Sequence, residues 1–174
     1  MDKFTIDIPE FCLVALVGAT SAGKSSFAKR HFKPTETLSS DFFRAMICDD
    51  ENEQSISGDA FELLYDALNK RLKNGKLTVV DATSVQKSAR TTLLNIAQKH
   101  NARTAAIVLN PPEDVLHARN TARPDRHIPD GVVREHYREL MDSIASLNTE
   151  GFDFVYILNS LDQIDNAQIV RTKR

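Results

Sequence analysis

Residues 18–25 read Gly-Ala-Thr-Ser-Ala-Gly-Lys-Ser, the pattern G-x-x-x-x-G-K-[ST] in full. The chemistry this run suits is the binding of a nucleotide's phosphates. Gly18 and Gly23 let the backbone bend around an anion with no Cβ in the way. The N–H groups of Gly18, Ala19, Thr20, Ser21, Ala22, Gly23, Lys24, Ser25 and Ser26 then face the phosphates at a helix N-terminus. Lys24 brings a positive charge to the β- and γ-phosphates, and Ser25 an oxygen to Mg²⁺ or Mn²⁺. A plain strand-to-helix turn would need neither side chain there. Leu77-Thr-Val-Val-Asp81 is an apolar run ending in a carboxylate, a Walker B form in which Asp81 would hold the metal directly or through water. A strand-ending aspartate that merely caps the next helix is the plainer reading of the same residue.

A P-loop fixes nucleotide binding, not the reaction. The guanine reader Asn-Lys-x-Asp is missing, since the one Asn-Lys pair, Asn69-Lys70, continues into Arg71-Leu72. An ATP-binding-cassette signature is missing too, and the chain is short for that class. A small phosphotransferase remains. With an alcohol acceptor it needs a base and a charge clamp. Asp41, in Ser39-Ser-Asp-Phe-Phe-Arg44, follows a weak second strand. That places it at the carboxyl edge of the sheet, where ligands bind. Arg44, three residues on, shares its helical face and could bind an anionic acceptor. A helix N-cap with a solvated arginine is the alternative. Arg119 and Arg123 are four apart on a helix starting near Pro112 and broken by Pro124, with Arg126 beyond. Their planar forks suit phosphate, so this segment reads as a lid over ATP, or else as a solvated basic face. Gln54, in the acidic 49–54 loop, is either an acceptor contact or a solvated residue.

These residues need elements to carry them. Residues 11–17, 77–80, 104–109 and 154–158 are apolar runs of strand length, buried on both faces, with a weaker strand at 35–39. Helical periodicity lies between them: 24–31; 59–72 with Ala60, Leu64, Ala67, Leu68 and Leu72 on one stripe, ended by Asn74-Gly75; a helix from a Thr83/Gln86 capping box through Leu93 and Ala97; and a helix after Pro129 presenting Val133, Tyr137, Leu140, Met141, Ile144 and Leu147. Strand and helix alternate, so the expected fold is α/β, a P-loop-type parallel sheet of four or five strands flanked by helices, with an Arg-bearing lid. Residues 1–160 form the expected kinase domain, and 161–174 a polar tail or weak helix.

The chain has 174 residues, enough for one domain. It is 41% hydrophobic and 26% charged with net charge −2, which excludes collagen, coiled coil, general disorder and coating of nucleic acid by bulk charge. No apolar run is long enough to span a bilayer, and the first residues do not read as a signal peptide. Two cysteines, Cys12 and Cys48, make no disulfide framework, so a reducing cytoplasm is expected.

Together, Gly18 to Ser25, His31-Phe-Lys-Pro-Thr, Ser39-Ser-Asp-Phe, Asp49-Asp-Glu-Asn, Gly75-Lys-Leu-Thr-Val-Val-Asp-Ala-Thr, the lid arginines and Gly151-Phe resemble the 5′-OH polynucleotide kinase domain of bacterial polynucleotide kinase-phosphatase, an RNA end-healing enzyme, over essentially the whole chain. The resemblance implies transfer of the ATP γ-phosphate to 5′-OH ends of RNA or DNA. It implies Asp41 as general base, Arg44 on the acceptor, Arg119 on the ATP phosphates and Arg123 near the nucleotide. Ala22 stands where that family more often has glycine. In that family phosphatase and ligase domains follow the kinase; this sequence carries nothing of them, so the chain is expected to be either one domain of a longer parent protein or a free-standing version. A small-molecule kinase acting on a sugar or similar alcohol, and a non-catalytic nucleotide-binding module, are the alternatives.

Overall fold

The computed structural model describes residues 4–126 and 128–173. The chain runs β1 (Phe4–Pro9), β2 (Cys12–Val17), α1 (Lys24–His31), β3 (Thr37–Ser39), α2 (Ser40–Cys48), α3 (Ser57–Lys73), β4 (Thr78–Asp81), α4 (Lys87–Lys99), β5 (Arg103–Leu109), α5 (Glu113–Ala122), α6 (Asp130–Leu147), β6 (Phe154–Leu158), α7 (Leu161–Asp165) and β7 (Ala167–Thr172), with 3-10 turns at Pro34–Glu36 and Gln54–Ile56.

Every residue of β2 is buried, which only a central strand covered on both faces allows. It lies between β4 and β5 in a five-stranded sheet ordered β3-β4-β2-β5-β6, and all pairings are parallel. Side chains alternate across the pleat. Cys12, Val14 and Leu16 enter one core layer with Phe27, Ile107 and Leu116. Leu13, Ala15 and Val17 enter the other with Leu64, Leu68, Leu93 and Leu140. The α/β architecture is thus the expected one, and its central sheet has five strands. The register Leu16↔Asp81 and Ser39↔Asp81 brings the ends of β2, β3 and β4 to one edge. The phosphate loop, Asp41 and Asp81 must therefore emerge together.

The helix stripes follow the sequence periodicity with two exceptions. Ala60, Leu64, Leu68 and Leu72 of α3 are buried, as are Val133, Leu140 and Leu147 of α6. Met141, expected in the α6 stripe, is 45% exposed, because it sits one residue round from Leu140. The Thr83/Gln86 capping box does not form. Helix α4 begins at Lys87 with no side-chain cap from Gln86, whose amide instead donates to Glu139 at 3.2 Å. Residues 83–86 form a loop that turns at Ser84, φ 49°.

Of the polar tail or weak helix expected over 161–174, the helix forms in part and a strand follows it. Residues 161–165 are helical and 167–172 form β7, which pairs in parallel with β1. Residues 1–3 and 174 lie outside the described residues. Neither strand is stable alone, since a two-stranded ribbon needs packing against something else. Here Ile6 and Ile8 are fully buried. Arg171 grips Glu36 through two 2.8 Å bonds, and the Tyr156 hydroxyl donates to the Asp7 carbonyl at 2.8 Å. Among the described residues, no helix is long and apolar enough to cross a membrane.

Candidate active site

The phosphate loop leaves β2 at Gly18 and turns into α1 at Gly23. Its glycines are required by geometry. A Cβ on Gly18 would lie 2.8 Å from the Leu109 carbonyl oxygen, and Gly23 has φ +95°. Ala22 is fully buried, so its methyl is accommodated in the loop. The loop is pinned from below, where Gly18 N–H donates to the Thr83 carbonyl at 3.0 Å. Lys24 Nζ closes it from within, donating to the carbonyls of Gly18 at 2.8 Å and Ala19 at 2.9 Å. Burial lowers the Lys24 pKa to about 8, with the charges of Asp81 and Asp41 opposing that shift. The lysine is thus a desolvated cation held by loop carbonyls that a phosphate would complete.

Ser25 Oγ donates to Asp81 Oδ2 at 2.7 Å. Burial raises the Asp81 pKa, against the Ser25 hydrogen bond and the Lys24 charge. A carboxylate and a hydroxyl oxygen side by side at the lip of a phosphate loop fit a hard divalent cation. Among the described residues, no group of three or more His, Cys, Asp or Glu side chains is placed to hold a metal by itself. Mg²⁺ held by Ser25 and Asp81 would then complete its shell with phosphate oxygens and water, its usual habit.

Asp41 sits in the first turn of α2, where the Ser39 hydroxyl caps the Phe42 N–H at 3.4 Å. Its carboxylate is held by two arginines, one per oxygen: Arg44 from its own helix on Oδ1, and Arg126 on Oδ2 at 2.9 Å. Arg44 shares the Asp41 face as expected but is only 4% exposed. Its Nε donates to the Glu51 carbonyl at 2.8 Å and its Nη1 to Ser57 Oγ at 3.5 Å. Arg119, in the last turn of α5, donates to the Ala22 carbonyl at 3.2 Å, directly over the loop. Arg123 is not on the helix with it. It is the C-terminal cap with extended backbone, because the residue before a proline is pushed out of the α region.

One cleft of about 980 Å³ joins these groups. Residues 20–26 of the phosphate loop, Asp81, Arg119 and Arg123 line it together with Asp41, Arg44 and Gln54, and Arg126, His136 and Asp165 are also in its wall. A smaller cavity of about 290 Å³ adjoins it, shares Phe61, Ala82, Thr83 and His136, and is walled further by Tyr65, Gln86 and Glu139. Sequence reasoning singled out Arg126 without giving it a role, and it missed His136. His136 Nδ1 lies 2.9 Å from Thr20 Oγ1, and burial lowers its pKa. It arrives from α6, far along the chain, and nothing in its local sequence marks it. Arg90 was missed as well. Fully buried, it donates to the carbonyls of Ser84 at 2.9 Å and Val85 at 2.7 Å and takes both Glu150 oxygens at 2.7 Å. It thereby clamps the loop that supplies the Thr83 carbonyl.

A parallel sheet carrying a phosphate loop at its carboxyl edge, with a Ser–Asp pair beside it and arginines above, defines a P-loop phosphotransferase fold. The chain belongs to the AAA_33 family, an AAA domain whose model matches residues 13–147. It is 27% identical over 172 residues to an L-seryl-tRNA(Sec) kinase of Methanococcus maripaludis, an alignment covering 88% of this chain and 66% of that protein. Among solved structures it is similar to a chain of the Pnkp1/Rnl/Hen1 RNA repair complex, with TM-score 0.69 and 21% identity over 80% of this chain and 47% of that one. It is also similar to a gluconokinase from Sinorhizobium meliloti 1021, with TM-score 0.57 and 16% identity over 91% and 90%. The chain thus spans just under two thirds of the seryl-tRNA kinase and about half of the RNA repair protein. Two of these relatives are named as kinases, and the chain falls in the P-loop kinase superfamily of phosphotransferases.

Proposed function

We propose that this protein transfers the γ-phosphate of ATP to the 5′-OH end of RNA or DNA in the healing of broken strands. The observation that carries the reading is the one cleft lined both by a phosphate loop and by a carboxylate flanked by two arginines. An alcohol that belongs to a polyanion suits a carboxylate so flanked. The likeness to a chain of an RNA repair complex supports the same substrate class. The kinase unit extends past residue 160, since Ile164 and Asp165 line the cleft. Phosphatase and ligase domains of a longer parent are the proposed partners, and a reducing cytoplasm suits its two free cysteines.

The 5′ hydroxyl approaches the γ-phosphorus from the Asp41 side. As the new O–P bond forms, the bond to the β,γ-bridging oxygen breaks and ADP leaves. The hydroxyl proton passes to the Asp41 carboxylate. A loose transition state needs that transfer only late, so the base need not be strong. Lys24 and Arg119 neutralise charge gathering on the transferred oxygens. Ser25 and Asp81 would hold Mg²⁺, which would supply further charge neutralisation. Arg123 borders the nucleotide, and Arg44 and Gln54 the acceptor.

A second reading, a small-molecule kinase, is favoured by the 290 Å³ side cavity, which is of a size for a metabolite alcohol. The test is incubation with γ-labelled ATP, Mg²⁺ and a 5′-OH oligonucleotide, beside the same oligonucleotide already 5′-phosphorylated. Label on the first only is the expected result. Label on neither, with transfer to an added sugar alcohol, overturns the polynucleotide reading in favour of the second.

A further inference from the structure

The crown of the phosphate loop is a tight turn. The Ala22 N–H donates to the Ala19 carbonyl at 3.2 Å, with Thr20 and Ser21 between them. Ser21 has φ 67°, and a turn with positive φ at its third residue calls for glycine or asparagine there. A residue with a Cβ is strained in that region. Among the described residues, Asp49, Ser84 and Asn101 are the other non-glycines of positive φ. Asp and Asn tolerate it, and Ser84 is held by Arg90, which donates to its carbonyl at 2.9 Å. Ser21 has no such support of its own. Its hydroxyl is buried and without a partner among the described residues.

The neighbouring residue supplies the support. Thr20 Oγ1 lies 2.9 Å from Nδ1 of His136, on α6, and among the described residues this is the one hydrogen bond made by a side chain of the crown. Thr20 is β-branched and stiff at χ1, and it is only 7% exposed. A tie at its hydroxyl therefore fixes the backbone that carries it, and that backbone runs directly into Ser21. Burial, and after it the Lys24 charge, lower the His136 pKa. The ring is thus neutral at neutral pH and sets no second cation against Lys24.

We propose that His136 is a positioning residue for the donor site: through Thr20 it holds the crown of the phosphate loop in its turn, keeping Ser21 in a conformation that suits glycine better. It touches no reacting atom. The inference rests on the nucleotide-binding reading of the phosphate loop and holds for any acceptor alcohol. Without the tie, Ser21 relaxes toward negative φ, the N–H groups of the crown turn away from the phosphates, and nucleotide affinity falls. Thr20 and His136 then act as one unit. Ser21→Gly, which removes the Cβ penalty, makes the tie dispensable.

The experiment measures ATP·Mg²⁺ affinity by titration calorimetry in wild type and in variants of the three residues. His136→Ala should weaken binding about three- to tenfold, the worth of one net hydrogen bond. Thr20→Val, which keeps the shape and removes the hydroxyl, should weaken it equally, and the double variant no further. His136→Asn keeps a polar atom near the place of Nδ1 and should retain most of the affinity. It carries the test together with Thr20→Val if the alanine variant does not fold. Adding Ser21→Gly to His136→Ala or to Thr20→Val should bring the affinity back to that of Ser21→Gly alone, a rescue that lost packing under α6 would not give. Unchanged affinity in both single variants overturns the inference. Additive losses overturn it as well, since they give Thr20 and His136 separate roles. A loss that Ser21→Gly does not restore overturns it and leaves His136 a packing residue. Wild type that binds no ATP overturns the phosphate-loop reading and this inference with it. Loss and rescue in a protein that binds ATP but labels no 5′-OH end support this inference and overturn the acceptor reading alone.

Discussion

The buried charge of Lys24 makes nucleotide binding depend on pH in a way that can be worked out in advance. Burial takes the lysine from 10.5 to about 8 in the free protein, which corresponds to ~3 kcal/mol against its charged form. Unfolded chain therefore binds more protons than folded protein between those two values, and the free fold gains stability as pH rises through that window. A phosphate beside Nζ favours the ammonium, so in the ATP complex the proton is held to higher pH. Binding must then take up a proton once pH exceeds the free value of about 8, and affinity must fall as pH rises. If the bound lysine stays charged, the loss from about pH 7.5 to about pH 9 is roughly eightfold. Titration calorimetry at about pH 9, run in two buffers of different ionisation enthalpy, should report nearly one proton taken up per ATP, and almost none at about pH 7 from this group. Lys24→Met should bind weakly and show no such pH dependence. An affinity that stays flat across this range in the wild type, with no proton uptake, would refute the account of a desolvated lysine completed by phosphate.

Asp41→Asn should bind ATP·Mg²⁺ nearly as wild type yet lose transfer by about 10² or more, in single-turnover assays at saturating acceptor. Lost ATP affinity with turnover retained would make Asp41 a donor-side or metal residue. Arg119→Lys should fail along with Arg119→Ala if the guanidinium fork is what grips phosphate; recovery by lysine in a transfer assay would mean that a point charge suffices. Glu150→Ala strips the partner from the fully buried Arg90 and should cost about 3–5 kcal/mol in chemical denaturation, a far larger effect than removing the exposed Lys70–Asp66 pair. Gly18→Ala places a methyl 2.8 Å from the Leu109 carbonyl and should cost about 1–3 kcal/mol by the same measurement.

The part of this protein readable from residues alone is the part governed by local rules. The P-loop, its glycines, the apolar strands and the helix stripes each follow from spacing over a few residues. A fully apolar six-residue run such as Cys12–Val17 has only one comfortable place, the middle of a covered sheet. Asp81 was legible because it ends a strand and Asp41 because it closely follows one, and in a parallel sheet all strand ends share one edge. Arg119 was legible as a lid residue because helical spacing ahead of Pro124 marks an arginine-bearing segment.

Tertiary structure decided what depends on partners distant in sequence. β1 and β7 stand at opposite ends of the chain; β1 carries a period-2 alternation of Phe4, Ile6 and Ile8 with Thr5 and Asp7, but its partner strand lies far along the chain, with Phe4 opposite Ala167. Only their pairing, with Arg171 on Glu36, orders them. The Thr83 capping box matched a pattern, yet Arg90 took the Ser84 and Val85 carbonyls and turned that segment into the loop that anchors Gly18. Arg123 has helical spacing from Arg119, yet Pro124 holds it off the helix. Arg44 shares the Asp41 face as its spacing implies, but sequence shows its face and not its burial, nor that Glu51 and Ser57 hold it. Arg126 showed no role until the fold laid it across Asp41, 85 residues away. Periodicity records which side of an element faces the core, but it carries no information about which charge meets which across a cleft, because that depends on where the backbone places both.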